Sequence, residues 1–225
     1  EIEYNFLIID GEKFSKNQII LELNGKAISL LSMERTALNI AMHLSGVASF
    51  TYKIVEKLKN TDIKLADTRK TTPGLRIFEK YAFKCGGGIN HRMGLYDAAM
   101  IKENHIAWSD NLINTVKKLR ENIPFTSHII IEAETIEQAK EAIFAGADSI
   151  LLDEINPDLL RKSIKELRMT SKELYKKNNS KQLIIEVSGI NHLEIDKYLI
   201  EGIDFISTSS SVTKSKWIDF SMRYI

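Results

Sequence analysis

A chain of 225 residues that is 44% hydrophobic and 27% charged can bury one large core or two small ones, and it lies far from disordered or fibrous composition. Lys and Arg number 31 against 30 Asp and Glu, a net charge of +1, so no global field draws the chain to nucleic acid or to a membrane. Any affinity for anions has to come from local clustering. The single cysteine, Cys85, excludes an internal disulfide and fits a reducing compartment. No apolar run reaches transmembrane length and no signal peptide opens the sequence, which together predict a cytoplasmic protein. The first residue is Glu1 rather than Met, and the opening reads as mid-domain sequence.

Residues 2–31 carry apolar runs at 6–9 and 19–23, punctuated by Asp10-Gly11 and Asn24-Gly25. Both dipeptides are turn chemistry, so small strands or hairpins are expected. Between 32 and 59 the apolar spacing becomes helical, from Leu38 through Ala41, Leu44 and Val47 to Leu58, and predicts two consecutive helices broken at Gly46. Strand-like runs then follow at 63–66, 98–101, 129–131, 149–152, 183–187 and 205–206. Amphipathic helices are expected at 112–121, 136–145, 157–177 and 193–201, the third opened by Asn156 as N-cap and Pro157 at the first helical position. Strand–helix alternation of this kind means βαβ units and a parallel sheet, and six such strands favour a barrel or partial barrel over an open doubly wound sheet.

Each of these strands ends on, or just before, a polar residue: Asp67, Lys102, Glu132, Asp153, Ser188, and then Ser207, Thr208 and Ser209. In a βα barrel the carboxyl ends of the strands form the catalytic face. The loop 67–74 adds Arg69 and Lys70 in a turn bounded by Thr, Pro and Gly, and the loop 85–92 adds His91 and Arg92 after three glycines. Arginine's planar fork suits carboxylate or phosphate, and lysine supplies a point charge. A lone Lys or Arg is more often a solvated charge, a glycine run a flexible turn, and a lone histidine a structural hydrogen-bonder. Their convergence on one face of a near-neutral chain instead implies a small, highly anionic substrate.

Glu132 and Asp153, on successive strands, suit three tasks: holding Mg²⁺, acid–base work, or stabilising a cationic transition state. A salt bridge to Lys70 or Lys102 is compatible with all three. Ser188-Gly189 and the serine-rich stretch 207–211 follow the last two strands, where barrels commonly bind phosphate, although a serine run also makes an ordinary N-cap. His43, His105, His128 and His192 show no ligand spacing, and a zinc site is not expected.

These blocks resemble the quinolinate phosphoribosyltransferases (nicotinate-nucleotide pyrophosphorylases). The likeness is carried by residues 34–39, 44–48, 67–76, 86–97 and 101–105, and runs from about Leu23 to the C-terminus. It implies an open, TIM-like α/β barrel at 33–212, a partial α/β sandwich at 1–32 and a segment at 213–225 returning to the sandwich. It further implies a homodimer or higher homo-oligomer, with no nucleic-acid or membrane partner. Arg69, His91, Arg92 and Lys102 would line the quinolinate pocket, with Arg35 entering from the partner subunit. Lys70, Glu132 and Asp153 would face the ribose and pyrophosphate of phosphoribosyl pyrophosphate, with Mg²⁺ on the two carboxylates. Ser188, Gly189, Ser207 and Ser209 would hold the 5′-phosphate. The family's first helix and strands have no counterpart here. Three positions depart from its pattern: Glu154 replaces an asparagine, Ile190 a glycine and Ser209 a glycine. The implied reaction yields nicotinate mononucleotide, CO₂ and pyrophosphate in NAD biosynthesis. Three alternatives stand beside it: a related phosphoribosyltransferase for another aromatic acid, a lyase forming a Schiff base on Lys102 or Lys70, and a non-catalytic anion binder.

Overall fold

The computed structural model describes residues 2–107, 111–177 and 182–224. Two short strands, β1 (Ile2–Phe6) and β2 (Leu21–Gly25), pair antiparallel and lie partly outside the apolar runs that suggested them. One helix, α1 (Ala27–Leu58), follows directly. The two helices expected at 32–59 are therefore one, and Gly46 does not break it. Gly46 instead admits the C-terminal chain, because a Cβ there would meet the Lys216 carbonyl oxygen at 2.3 Å. Gly86 approaches the same helix, where a Cβ would lie 2.4 Å from the Ala48 oxygen. Residues 215–224 have no regular structure and run back across α1. Ile218 N–H bonds the Met42 oxygen at 3.1 Å, and Phe220 packs on Phe14 with ring centroids 5.5 Å apart.

Six parallel strands form the main sheet: β3 (Lys64–Ala66), β4 (Ala98–Ile101), β5 (His128–Ala133), β6 (Ser149–Asp153), β7 (Ile184–Ser188) and β8 (Phe205–Ser207). Their spatial order is β3-β8-β7-β6-β5-β4, so sequence neighbours lie side by side except at one opening, between β3 and β4. This is an open α/β barrel. The chain across the opening carries α2 (Arg76–Cys85) and then passes close to β3, where Ala66 makes a single parallel bridge to Ile89.

The strands read as nearly continuous apolar runs because both faces are covered. Ile129, Ile131, Ile150, Leu152, Ile185, Val187 and Ile206 are at most 1% exposed in the main core. That core includes residues of α5 (Ile136–Phe144) and α6 (Pro157–Lys177), and each such side chain contributes about 1.5–3 kcal/mol of burial. Ala98, Ile130 and Leu151, with Met100 against them, form a smaller cluster from alternate positions of β4, β5 and β6. The helix expected at 112–121 is α4 (Leu112–Asn122), after the short α3 (Glu103–Ala107), and α6 has its expected bounds. Asn156 caps α6 by accepting from Asp158 N–H at 2.9 Å. The expected helix 193–201 is a single 3-10 turn, Ile195–Tyr198. Ile195, Ile200 and Ile203 all enter the core, and on a continuous α-helix the first two would diverge by about 140°. Among the described residues no helix is long and apolar enough to cross a membrane.

Candidate active site

The strand register assembles the polar strand ends on one end of the barrel. Glu132 on β5 lies beside Leu151 on β6, Asp153 on β6 beside Ser188 on β7, and Ser207 on β8 beside Ala66 on β3. Lys102, just past β4, donates to Glu132 Oε2 in an ion pair whose lysine is 43% exposed. The carboxylate is thereby fixed while the ammonium keeps a face open to the barrel mouth.

The two cationic loops are held together by the first turns of α2. Arg76 donates to Thr71 Oγ1 at 3.0 Å and to the Arg69 oxygen at 3.4 Å in one loop, and to the Met93 oxygen at 3.2 Å in the other. Glu79, fully buried, accepts from Thr72 N–H and from His43 Nε2, each at 2.8 Å. Lys80, also buried, donates to Asp67 Oδ1 and to the His91 oxygen. Asp67 is further bonded by Asn90 Nδ2 at 2.6 Å and His91 N–H at 2.8 Å. A carboxylate with this many donors is a structural clamp, so Asp67 joins the loops rather than facing a substrate. Glu79 and Lys80 had no motif to mark them. Two adjacent charges on the buried face of a helix were the available signal.

Arg92 reaches along β4, its Nη1 donating to the Ala98 oxygen at 2.9 Å and its Nη2 lying 3.3 Å from Met100 Sδ. Burial, and then the positive charge of Arg69, lowers the Arg92 pKa from its ordinary value. The Arg69 charge thus bears on the Arg92 guanidinium, and two cations acting at one place can receive an anion. Glu134 is raised from the ordinary carboxylate value, first by the charge of Glu103 and in smaller part by Asp153 and Glu132. Cationic and acidic groups thus lie side by side at the strand ends, with Glu132 acting on both Arg92 and Glu134.

Lys70, Thr68 and Thr71 line a small cleft with Thr208, Ser209 and Val212, so the first and last barrel loops face each other. Gly189 has φ +72°, and a Cβ there would strike Glu154 Cγ at 2.4 Å and Asp153 Oδ1 at 2.9 Å. Only glycine lets this turn lie against the end of β6. Of the three departures, one is strained and two fit their places. Glu154 takes φ +53°, a conformation that asparagine adopts more readily. Ile190 sends its side chain into the core, and Ser209, at φ −88°, needs no glycine freedom. Ser207, Ser211 and Ser215 have buried hydroxyls without hydrogen-bond partners among the described residues. Among the remaining histidines, His105 accepts from Lys102 N–H, His128 meets Ser149 Oγ and His192 packs on Phe50.

Arg35 is exposed on α1, and no hydrogen bond or ion pair joins it to the other site residues among those described. The buried Glu186, which contacts His91, was passed over in the sequence although it is the only charge within the apolar run 183–187.

An open α/β barrel with an arginine cradle, strand-end carboxylates and hydroxyl-rich final loops is the framework of an enzyme for small polyanions. The chain belongs to the quinolinate phosphoribosyltransferase family. The model of that family's C-terminal domain matches residues 47–223 and that of its N-terminal domain residues 1–45. The chain is 42% identical over 214 residues to a probable nicotinate-nucleotide pyrophosphorylase (carboxylating) of Bacillus subtilis, covering 95% of this chain and 70% of that one. A Synechocystis protein of the same description is 36% identical over 225 residues, all of this chain and 73% of the relative. The crystal structure of NadC from Streptococcus pyogenes superposes with a TM-score of 0.87 at 37% identity, over 100% of this chain and 76% of that one.

Proposed function

We propose that this chain joins quinolinate to phosphoribosyl pyrophosphate, releasing CO₂ and pyrophosphate and forming nicotinate mononucleotide. The observation that carries the reading is Arg92, held along β4 and acted on by the charges of Arg69 and Glu132, with Glu132 itself held by Lys102, so that cations and a carboxylate meet at one place. The ring nitrogen of quinolinate attacks the anomeric carbon as the bond to pyrophosphate breaks and that group leaves with the electron pair. Positive charge grows on the ribosyl carbon in this step, and Glu132, already fixed by Lys102, lowers its energy. The pyridinium that results draws electrons from the neighbouring carbon–carboxylate bond. CO₂ departs, and a proton takes its place on the ring. Arg69, Arg92 and Lys102 orient the diacid, whereas Lys70, Ser188, Gly189, Ser207 and Ser209 receive the phosphates. A Schiff-base role for Lys102 is disfavoured by its ion pair, and one for Lys70 by its exposure.

Glu132 and Asp153 are hard oxygen donors on neighbouring strands and fit Mg²⁺. No group of three or more His, Cys, Asp or Glu side chains able to hold a metal occurs among the described residues. When bound, it would neutralise charge on the departing pyrophosphate.

The site is completed by a second copy of the chain. Arg35 has no partner among the described residues and stands on a helix whose Ile28, Leu31, Met33 and Ile40 are 77, 57, 56 and 44% exposed. Apolar exposure on this scale marks an interface. The lone Cys85 is free, in keeping with work in the cytoplasm.

Release of CO₂ from carboxyl-labelled quinolinate, dependent on phosphoribosyl pyrophosphate and Mg²⁺, tests the reaction. Arg35→Ala and Lys102→Ala proteins should fold and each be nearly inactive. Unfolded, mixed in equal amounts and refolded, they should regain roughly a quarter of wild-type sites if Arg35 acts across a two-fold interface. Activity that stays at the level of the single variants would place Arg35 in its own subunit's site or outside it.

A further inference from the structure

Glu186 lies inside β7, in the run Ile184-Ile185-Glu186-Val187, with its side chain 5% exposed. A carboxylate buried in an apolar strand is costly unless it is paired. Its Oε2 meets His91 Nε2 at 3.2 Å, and its Oε1 has no hydrogen-bond partner among the described residues. His91 is thus the contact that accounts for its position. The histidine is bonded at both ring nitrogens, because Arg92 backbone N–H reaches Nδ1 at 2.7 Å. A peptide N–H only donates, so Nδ1 accepts and carries no proton. The ring proton is then on Nε2, directed at Glu186.

We propose that Glu186 and His91 form a positioning pair for Arg92. The carboxylate selects the Nε2–H tautomer, and that tautomer presents Nδ1 to the Arg92 backbone. Lys80 holds the same segment from behind through the His91 oxygen, at 2.9 Å. With its backbone fixed, Arg92 extends its guanidinium along the Ala98 oxygen and Met100 sulfur toward the cradle. Both nitrogens of His91 are engaged by the protein, and its Nδ1 contact is to the Arg92 backbone itself. This inference deepens the proposed function and rests on Arg92 gripping the aromatic acid.

The test uses the full chain labelled with ¹⁵N-histidine, the His91 signals being assigned by their loss in His91→Gln. Wild type should show an unprotonated Nδ1 and a protonated Nε2. Glu186→Met should lose this single tautomer and raise the KM for quinolinate about tenfold, by analogy with outer-shell partners of other bound histidines. The KM for phosphoribosyl pyrophosphate should change less than about twofold, because that substrate does not use Arg92. Glu186→Gln keeps an acceptor oxygen and should restore both the tautomer and most of the quinolinate affinity. A wild-type His91 protonated on Nδ1 overturns the pair whatever the variants do, and so does a folded Glu186→Met with unchanged spectrum and kinetics. If Glu186→Met does not fold, the wild-type and Glu186→Gln spectra decide. If wild type itself fails to consume quinolinate, the function falls, while the tautomer still decides the pair.

Discussion

The two sides of the barrel mouth are built on opposite plans. On the cationic side Arg76, Glu79, Lys80, Asp67 and Asn90 tie two loops into one body, and most of their polar atoms are occupied by other parts of the chain. On the hydroxyl side, Ser207 and Ser211 have buried hydroxyls with no hydrogen-bond partner among the described residues. The difference follows from what each side must hold. Burial and the charge of Arg69 both disfavour the Arg92 cation, so these loops need a framework before any anion arrives. Serine hydroxyls do not repel, and a phosphate brings its own acceptors, so that side can be left unsatisfied until a ligand binds. Preorganisation is concentrated where like charges would otherwise relax away from the site.

The largest expected effect breaks the framework. Lys80→Met removes the cation from a buried pair and leaves Asp67 with an uncompensated charge, a change worth about 3–5 kcal/mol of stability. Urea unfolding should show that loss together with loss of activity. Adding Asp67→Asn should recover part of the stability without the activity, since the loops would still lack the Lys80 bond to the His91 oxygen. A Lys80→Met protein as stable as wild type would mean that the cationic side is not held in this way.

A smaller effect tests the cradle alone. Arg92→Lys keeps the charge but loses the planar fork, and should cost quinolinate about 1.5–3 kcal/mol for one charged hydrogen bond. Titration calorimetry should show phosphoribosyl pyrophosphate binding nearly unchanged. Equal losses for the two substrates would contradict the division between the two sides.

The barrel was legible in the sequence because its strands are buried on both faces and read as apolar runs, each ending on the residue that reaches the mouth. Lys102, Glu132, Asp153, Ser188 and Ser207 could be picked out for that reason. Arg69, Lys70, His91 and Arg92 were legible because glycines, threonines and a proline frame them. The framework behind them was not. Glu79, Lys80 and Glu186 occupy regular elements, and their partners are 7 to 95 residues away, so only the fold brings them together. The unbroken α1 was missed for a related reason. Gly46 reads locally as a breaker, whereas its cause is the chain near Lys216, far away in sequence.

The smallest effect separates the two plans most cleanly. Ser207 ends β8 at 2% exposure, its backbone is fixed by the ladder with β3, and its hydroxyl has no partner among the described residues. Removing that hydroxyl deletes no internal hydrogen bond, so Ser207→Ala should leave the urea midpoint unchanged or slightly raised. Leaving a buried hydroxyl unpaired costs about 1–3 kcal/mol, and alanine relieves that cost. Binding should move the other way. If the hydroxyl serves the phosphate, phosphoribosyl pyrophosphate affinity should fall by about 0.5–1.5 kcal/mol, the net value of one ordinary hydrogen bond, with quinolinate affinity unaffected. A variant that loses stability would show that Ser207 belongs to the framework after all. One that keeps both stability and affinity would remove it from the phosphate site, leaving Ser188, Gly189 and Ser209 to hold the ligand.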